Sequence, residues 1–218
     1  MNKIVAIDGP AGSGKGTIAS IVAKECNLVN IDTGATYRCV ALQALRNNLN
    51  INDKEQIIEL SNNITIQFGT DGKVFLNGED VTDLIRSKEV TKFVSPVSSI
   101  VEVRKNLVEL QRKMADKQDV IMEGRDITTV VFPNAQYKFY LDATLESRAN
   151  RRFLQNREKG IDMTYEEIYE NMKARDYNDM HKEVGSLMRT EDQIYIDSTD
   201  MTIDEVADKV IKIVKRRR

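Results

Sequence analysis

The chain has 218 residues, 41% of them hydrophobic, which suits one α/β unit with a sizeable core and room for a small insertion. Its 32 basic residues stand against 34 acidic ones, and the formal charge of -2 excludes a global attraction to nucleic acid or anionic lipid, so any anion site must be local. Cys26 and Cys39 form neither a metal spacing nor a disulfide framework, no apolar run approaches a membrane span, and Asp8 interrupts the N-terminal IVAI, so a cytoplasmic protein with reduced cysteines is expected.

In chain order, KIVAID (residues 3–8) predicts a buried strand and runs into the glycine-rich loop GPAGSGKGT (residues 9–17). LVNID, DVIMEG, YKFYLDA and QIYIDST repeat the pattern, each short, apolar or β-branched, and followed by a loop and a helical period. Near-continuous hydrophobicity over so few residues marks strands buried on both faces. The alternation predicts an α/β class with a five-stranded, doubly wound parallel sheet, whose ligands bind at the carboxyl ends of the strands.

Residues 64–81, ITIQFGTDGKVFLNGEDV, break the pattern. Apolar and polar residues alternate, with turn signals at Asp71-Gly72 and Asn77-Gly78, and predict a hairpin. This antiparallel insertion lies between the second and third core strands and spans about residues 60–95 with its connections. Further on, Thr164 with Glu167 and Thr202 with Glu205 fit the capping box and mark two helix starts. The terminal KIVKRRR is expected to be the cationic end of a last helix, favoured by the macrodipole, rather than a nucleic-acid tail.

The opening loop carries the chemistry. Gly9, Gly12 and Gly14 let the backbone wrap an anion, and Lys15 reaches the terminal phosphates of a nucleotide. The run Gly9, Pro10, Ala11, Gly12, Ser13, Gly14, Lys15, Gly16 and Thr17 is therefore the expected triphosphate site. A hydrolytic switch and a kinase compete for it. No aspartate has glycine three residues on, and the one Asn-Lys pair is Asn2-Lys3, so a GTPase-like switch lacks both its signatures. A kinase needs a cover that excludes water and a second anion site.

The cover is expected in RANRRFLQNREKG, residues 148–160, where Arg148, Arg151, Arg152, Arg157 and Lys159 meet a single acid, Glu158. Arg148 and Arg152 share a helix face. The second anion site draws on Arg38, Arg125 and Arg175; with Lys15 they suit a transition state whose charge spreads over phosphoryl oxygens. Lys15, Arg125, Arg152 and Arg175 are the expected catalytic cations. A phosphate acceptor is already an oxyanion, so no general base is needed, and His181 is expected at the surface.

GPAGSGKGT resembles the loop of the nucleoside monophosphate kinases, G-x-x-G-x-G-K-G-T. Within them, IDGPAGSGKGT, DTGATYR, EGRDITTVVFP, KFYLDA, KARD and the insertion are most similar to the bacterial cytidylate kinases. The resemblance implies a P-loop fold with a helical lid, transfer of the γ-phosphoryl of ATP to CMP and dCMP, and Mg²⁺ bridging the donor oxygens. No acidic residue stands out as a metal ligand, so the ion is expected to be held mainly by phosphates and water. It further implies that Thr33, Tyr37 and Arg38 lie along the acceptor, with Arg38, Arg125 and Arg175 on its phosphate and sugar side and Asp179 on its sugar hydroxyls. Ser95, Arg104 and Asp126 fall where the family reads cytosine. A looser analogy sets Arg148 against adenine and Arg152 on the donor phosphates.

From the residues alone, Asp126 paired with Arg125, Ser95 in a turn and Arg104 on an exposed helix face remain open. Lys182 departs from the arginine expected of relatives; it shares a predicted helix face with Arg175 and Asp179 and keeps the charge but not the bidentate fork. The chain is expected to act as a monomer, with neither nucleic acid nor membrane as partner. Its core is expected over about 1–35, 98–147 and 161–218, an acceptor-binding insertion over about 36–97 and a lid over about 148–160.

Overall fold

A computed structural model describes residues 2–69, 72–116 and 118–216. The Asp71 turn signal and the last two arginines of the tail lie outside the described residues. From the amino end, β1 (Ile4–Asp8) leads through the glycine loop into α1 (Lys15–Cys26), and β2 (Val29–Asp32) runs directly into α2 (Thr33–Arg46). Asp32 ends the strand and caps the helix, its carboxylate accepting from the Ala35 amide at 3.2 Å. Then come α3 (Lys54–Asn63), the short strands β3 (Ile66–Phe68), β4 (Val74–Leu76) and β5 (Glu79–Asp80), and the helices α4 (Lys88–Ser98) and α5 (Val101–Ala115). The core resumes with β6 (Val120–Gly124), a π-helical turn at Ile127–Val131, and β7 (Tyr137–Asp142). It closes with α6 (Leu145–Glu158), α7 (Tyr165–Met180), β8 (Ile194–Asp197) and α8 (Ile203–Arg216).

All five predicted core strands join one sheet, ordered β2-β6-β1-β7-β8, with every pairing parallel. The side chains of β1 alternate between two apolar layers, as a strand buried on both faces requires. Val5 and Ile7 pack with Ile18 and Val22 of α1 and Val206 and Val210 of α8, while Ala6 packs with Val108 of α5 and Ile127 of the π turn. The chain leaves β1 for the edge strand β2, returns to β6, and then crosses β1 to reach β7. The carboxyl end of β1 is thus a topological switch point, where α/β sheets bind ligands.

The insertion is antiparallel, as its alternation predicts, but it has three strands in the order β3-β4-β5 rather than a two-stranded hairpin. Asn77 and Gly78, at φ 52° and 85°, turn β4 into β5. Its apolar face joins a separate cluster that includes Val40, Ile57, Leu76, Ile85, Val97 and Leu107. Both predicted capping boxes form. The Thr164 amide donates to Glu167 at 2.8 Å and the Glu167 amide to Thr164 Oγ1 at 3.1 Å; the matching bonds at Thr202 and Glu205 are 2.8 and 3.3 Å. Among the described residues no helix is long and apolar enough to cross a membrane.

Candidate active site

A cleft of 710 Å³ opens over the carboxyl ends of β1, β2 and β6. At one wall, Gly14 at φ 91° is the N-cap of α1 and gives it no side-chain cap, so the first-turn amides are left for an anion. Lys15 is buried among the same residues. Its ammonium donates to Pro10 O at 2.8 Å and Ser13 Oγ at 3.4 Å, and burial with Arg125 nearby pushes it down to about 7. A bound triphosphate would favour the ammonium form again. Gly9 meets the backbone of β7 so closely that a β-carbon would sit 3.1 Å from Leu141 C, which explains a glycine there. Ala11 through Thr17 line the cleft.

Opposite the loop, Asp179 gathers cations. Its carboxylate accepts from Arg125 Nε at 2.8 Å and Lys182 Nζ at 2.9 Å, and Arg175 Nε lies 4.0 Å away. Though buried, it is held at about 2, well below the usual carboxylate range, with Arg125 and then Lys182 as the opposing charges. The Arg175 side chain is 53% exposed and faces the cleft. Lys182 does not share the helix face of Arg175 and Asp179, because α7 ends at Met180; it reaches Asp179 from the first turn after the helix. Thr33 and Tyr37 are buried in the cleft wall, the Thr33 hydroxyl donating to Glu123 O at 2.8 Å. Arg38 lines the cleft and ties α2 to the insertion through Ile85 O at 3.3 Å and Thr91 Oγ1 at 3.0 Å.

Arg104 and Asp126 form a buried ion pair, their side chains 6% and 8% exposed. Asp126 therefore pairs with Arg104 and not with its neighbour Arg125, and Arg104 is not the exposed helix residue its neighbour Glu102 suggested. Val103 and Leu107 turn the same face of α5 into the core, and that carries Arg104 inward. Nη1 donates to Ser98 O at 3.3 Å, the Tyr37 ring centroid lies 5.4 Å from Cζ, and Nε is buried without a partner. Ser95 is not in a turn but inside α4, exposed, and not part of the cleft wall; Val94 and Ser98 stand there instead.

The helix α6 brings Arg148, Arg151 and Arg152 to the cleft, but not Arg157, which stacks 5.9 Å from the Phe153 ring, nor Lys159. Arg148 does not stand free to meet a base. It is buried, donating to Ala11 O and Ala143 O at 2.9 Å each and to Asp176 at 2.6 Å. His181 is exposed, its ring stacked on Tyr177 at 4.0 Å.

Three cleft residues escape a reading of the sequence alone. Glu123 is the last but one residue of β6, beside α1, and burial, with Asp32 next in effect, pushes its carboxyl up to about 7. The detectable signal is an acid closing an apolar strand at the ligand edge of the sheet. Asp32 carries the same signal on β2. Arg86, an exposed cation in the insertion lying 4.0 Å from Asp32, carries none. A β-carbon on Gly16 would sit 3.3 Å from Glu123 Oε1, and neither the Glu123 carboxylate nor the Thr17 hydroxyl hydrogen-bonds another described side chain or backbone group. Among the described residues no three acidic, histidine or cysteine side chains cluster as a metal cage. This donor set fits a hard cation held chiefly by phosphate and water.

Residues 5–216 match the family model described as Cytidylate kinase. A cytidylate kinase of Caldicellulosiruptor bescii is 48% identical over 217 residues, covering 98% of this chain and 96% of the relative. One from Fusobacterium nucleatum is 45% identical over 215 residues, covering 99% and 98%. A crystal structure of an uncharacterised protein from Eubacterium ventriosum superposes with a TM-score of 0.53 at 14% identity, covering 99% of this chain and 100% of that one, a likeness of fold alone. With the family model matched over nearly its whole length and near half its residues shared with such relatives, the chain belongs to the cytidylate kinase family.

Proposed function

We propose that the protein transfers the γ-phosphoryl group of ATP to CMP and dCMP, giving ADP and CDP or dCDP. The observation that carries this is one cleft lined by a phosphate-binding loop, a cluster of three cations on Asp179, and a buried Arg–Asp pair able to read a base. The loop amides and Lys15 hold the donor phosphates. The acceptor phosphate enters among Arg125, Arg175 and Lys182 and takes these cations over from Asp179, whose carboxylate turns to the sugar hydroxyls. An acceptor oxygen attacks the γ-phosphorus, the bond to the β,γ-bridging oxygen breaks, and ADP leaves with its electrons. Lys15, Arg125, Arg152 and Arg175 offset the charge spread over the transferring oxygens, so positioning and electrostatics supply the catalysis. Mg²⁺, when bound, neutralises donor oxygens, and Thr17 and Glu123 are the residues that would hold it, directly or through water.

Cytosine offers an amine donor plus N3 and O2 acceptors; Asp126 accepts from the amine and Arg104, with its spare Nε, donates to the ring. Uracil reverses two of these groups and leaves buried polar atoms mismatched, at roughly 1–3 kcal/mol per contact. On the same reading the chain works as a cytoplasmic monomer in which residues 36–97 hold the acceptor and 148–160 cover the donor. The test is ADP production from Mg-ATP with CMP, dCMP, UMP, AMP or dTMP supplied singly, beside a blank without acceptor. Turnover confined to CMP and dCMP is expected. Preference for another acceptor would discard the base-reading roles, and equal ADP in the blank would mean hydrolysis.

A further inference from the structure

The Arg104–Asp126 pair is boxed on several sides. The Tyr37 ring flanks Arg104 at 5.4 Å, Ser98 O accepts from Nη1 at 3.3 Å, and the loop after α7 closes over the pair through Gly185. That loop is anchored on α7 by the Leu187 amide, which donates to Asp179 O at 2.7 Å. Gly185 has φ +68°, and a β-carbon on it would fall 2.8 Å from Arg104 Cζ and nearer still to Arg104 Nη2 and Asp126 Oδ2.

We propose that Gly185 is a positioning residue for base recognition: its bare Cα leaves the space into which Arg104 and Asp126 seat, and any side chain at 185 displaces the pair. The proposal rests on the base-reading role assigned to that pair above. The atoms that a β-carbon would meet are the ends of side chains, not backbone, so the fold yields by moving them. The damage therefore falls on the geometry that separates cytosine from uracil, more than on folding or the donor site.

Gly185→Ala tests this by steady-state kinetics with CMP, UMP and ATP, alongside thermal unfolding. Gly78→Ala is the control, because Gly78 also has a positive φ, +85°, but no atom within 4 Å of a built β-carbon. The two variants are expected to lose similar amounts of Tm. In Gly185→Ala alone, KM for CMP should rise about tenfold and the CMP-to-UMP ratio of kcat/KM should fall, with KM for ATP within about twofold of the parent. In an Asp126→Ala background, where the displaced carboxylate is gone, the same substitution should add little. An unchanged CMP KM in the folded variant, or full additivity with Asp126→Ala, would overturn the proposal. If Gly185→Ala alone does not fold, a background of Arg104→Ala with Asp126→Ala, which removes both displaced groups and leaves no buried charge unpaired, should restore soluble protein, and failure there too would overturn it. A parent enzyme that uses UMP as well as CMP would instead bring down the base-reading role itself, and that result is in hand before any variant is made.

Discussion

Asp176 bridges Arg148 and Ala11, accepting from the guanidinium at 2.6 Å with one carboxylate oxygen and from the Ala11 amide at 3.2 Å with the other. One buried side chain of α7 thereby joins α6 to the start of the glycine-rich loop, on the helix that also carries Arg175 and Asp179. Arg148 is thus a support of the loop rather than a free partner for a base. Asp176→Ala is expected to leave a buried cation uncompensated and to cost about 3–5 kcal/mol of stability, with a raised KM for ATP. Urea unfolding and ATP titration check this, and a variant as stable as the parent would refute the bridge's importance.

Arg104→Met and Asp126→Ala should each raise KM for CMP far more than KM for ATP, by the equivalent of roughly 1–3 kcal/mol. Each also leaves its partner buried and unpaired, so a loss of about 3–5 kcal/mol of stability, like that of Asp176→Ala, is expected. The decisive readout is acceptor preference: if both variants discriminate CMP from UMP as the parent does, the base is read elsewhere.

Glu123→Gln removes the carboxylate that lies beside Gly16 in the first turn of α1, and keeps its size. It should raise the Mg²⁺ concentration needed for half-maximal rate by about tenfold. The fold should hold, since Glu123 is strained toward its neutral form by burial already. A Mg²⁺ titration that superposes on the parent's would show that phosphate and water hold the ion unaided.

Asp179 links stability to pH. Its folded carboxyl, at about 2, lies below the unfolded value of about 3.9, so its contribution is fully present above pH 4 and is lost as pH falls toward 2. The shift corresponds to about 2 kcal/mol at neutral pH. Asp179→Asn should lose that amount near pH 7, and the gap between variant and parent should narrow between about pH 4 and pH 2. A gap independent of pH across that window would mean that the ion cluster contributes nothing to folding.

What the sequence by itself determined is the local and the periodic. Five apolar runs each became a parallel strand, both capping boxes formed, and GPAGSGKGT became the loop between β1 and α1 that leaves the first-turn amides without a side-chain cap, because these depend on neighbours a few residues apart. The motifs DTGATYR, EGRD and KARD likewise mark which cations belong to the cleft. Tertiary structure alone decided how those residues pair. Arg104 is drawn inward by the apolar face of α5 and meets Asp126 across 22 positions of chain, and Arg148 is turned onto Asp176, 28 positions away. Ser95 sits on the outer face of α4, and Gly185 earns no notice in its own polar stretch until the loop folds back onto the ion pair. Charge pairing acts over a few ångströms of space, not over a span of chain, so a guanidinium chooses its carboxylate only once the core has packed and burial has made every unpaired charge costly.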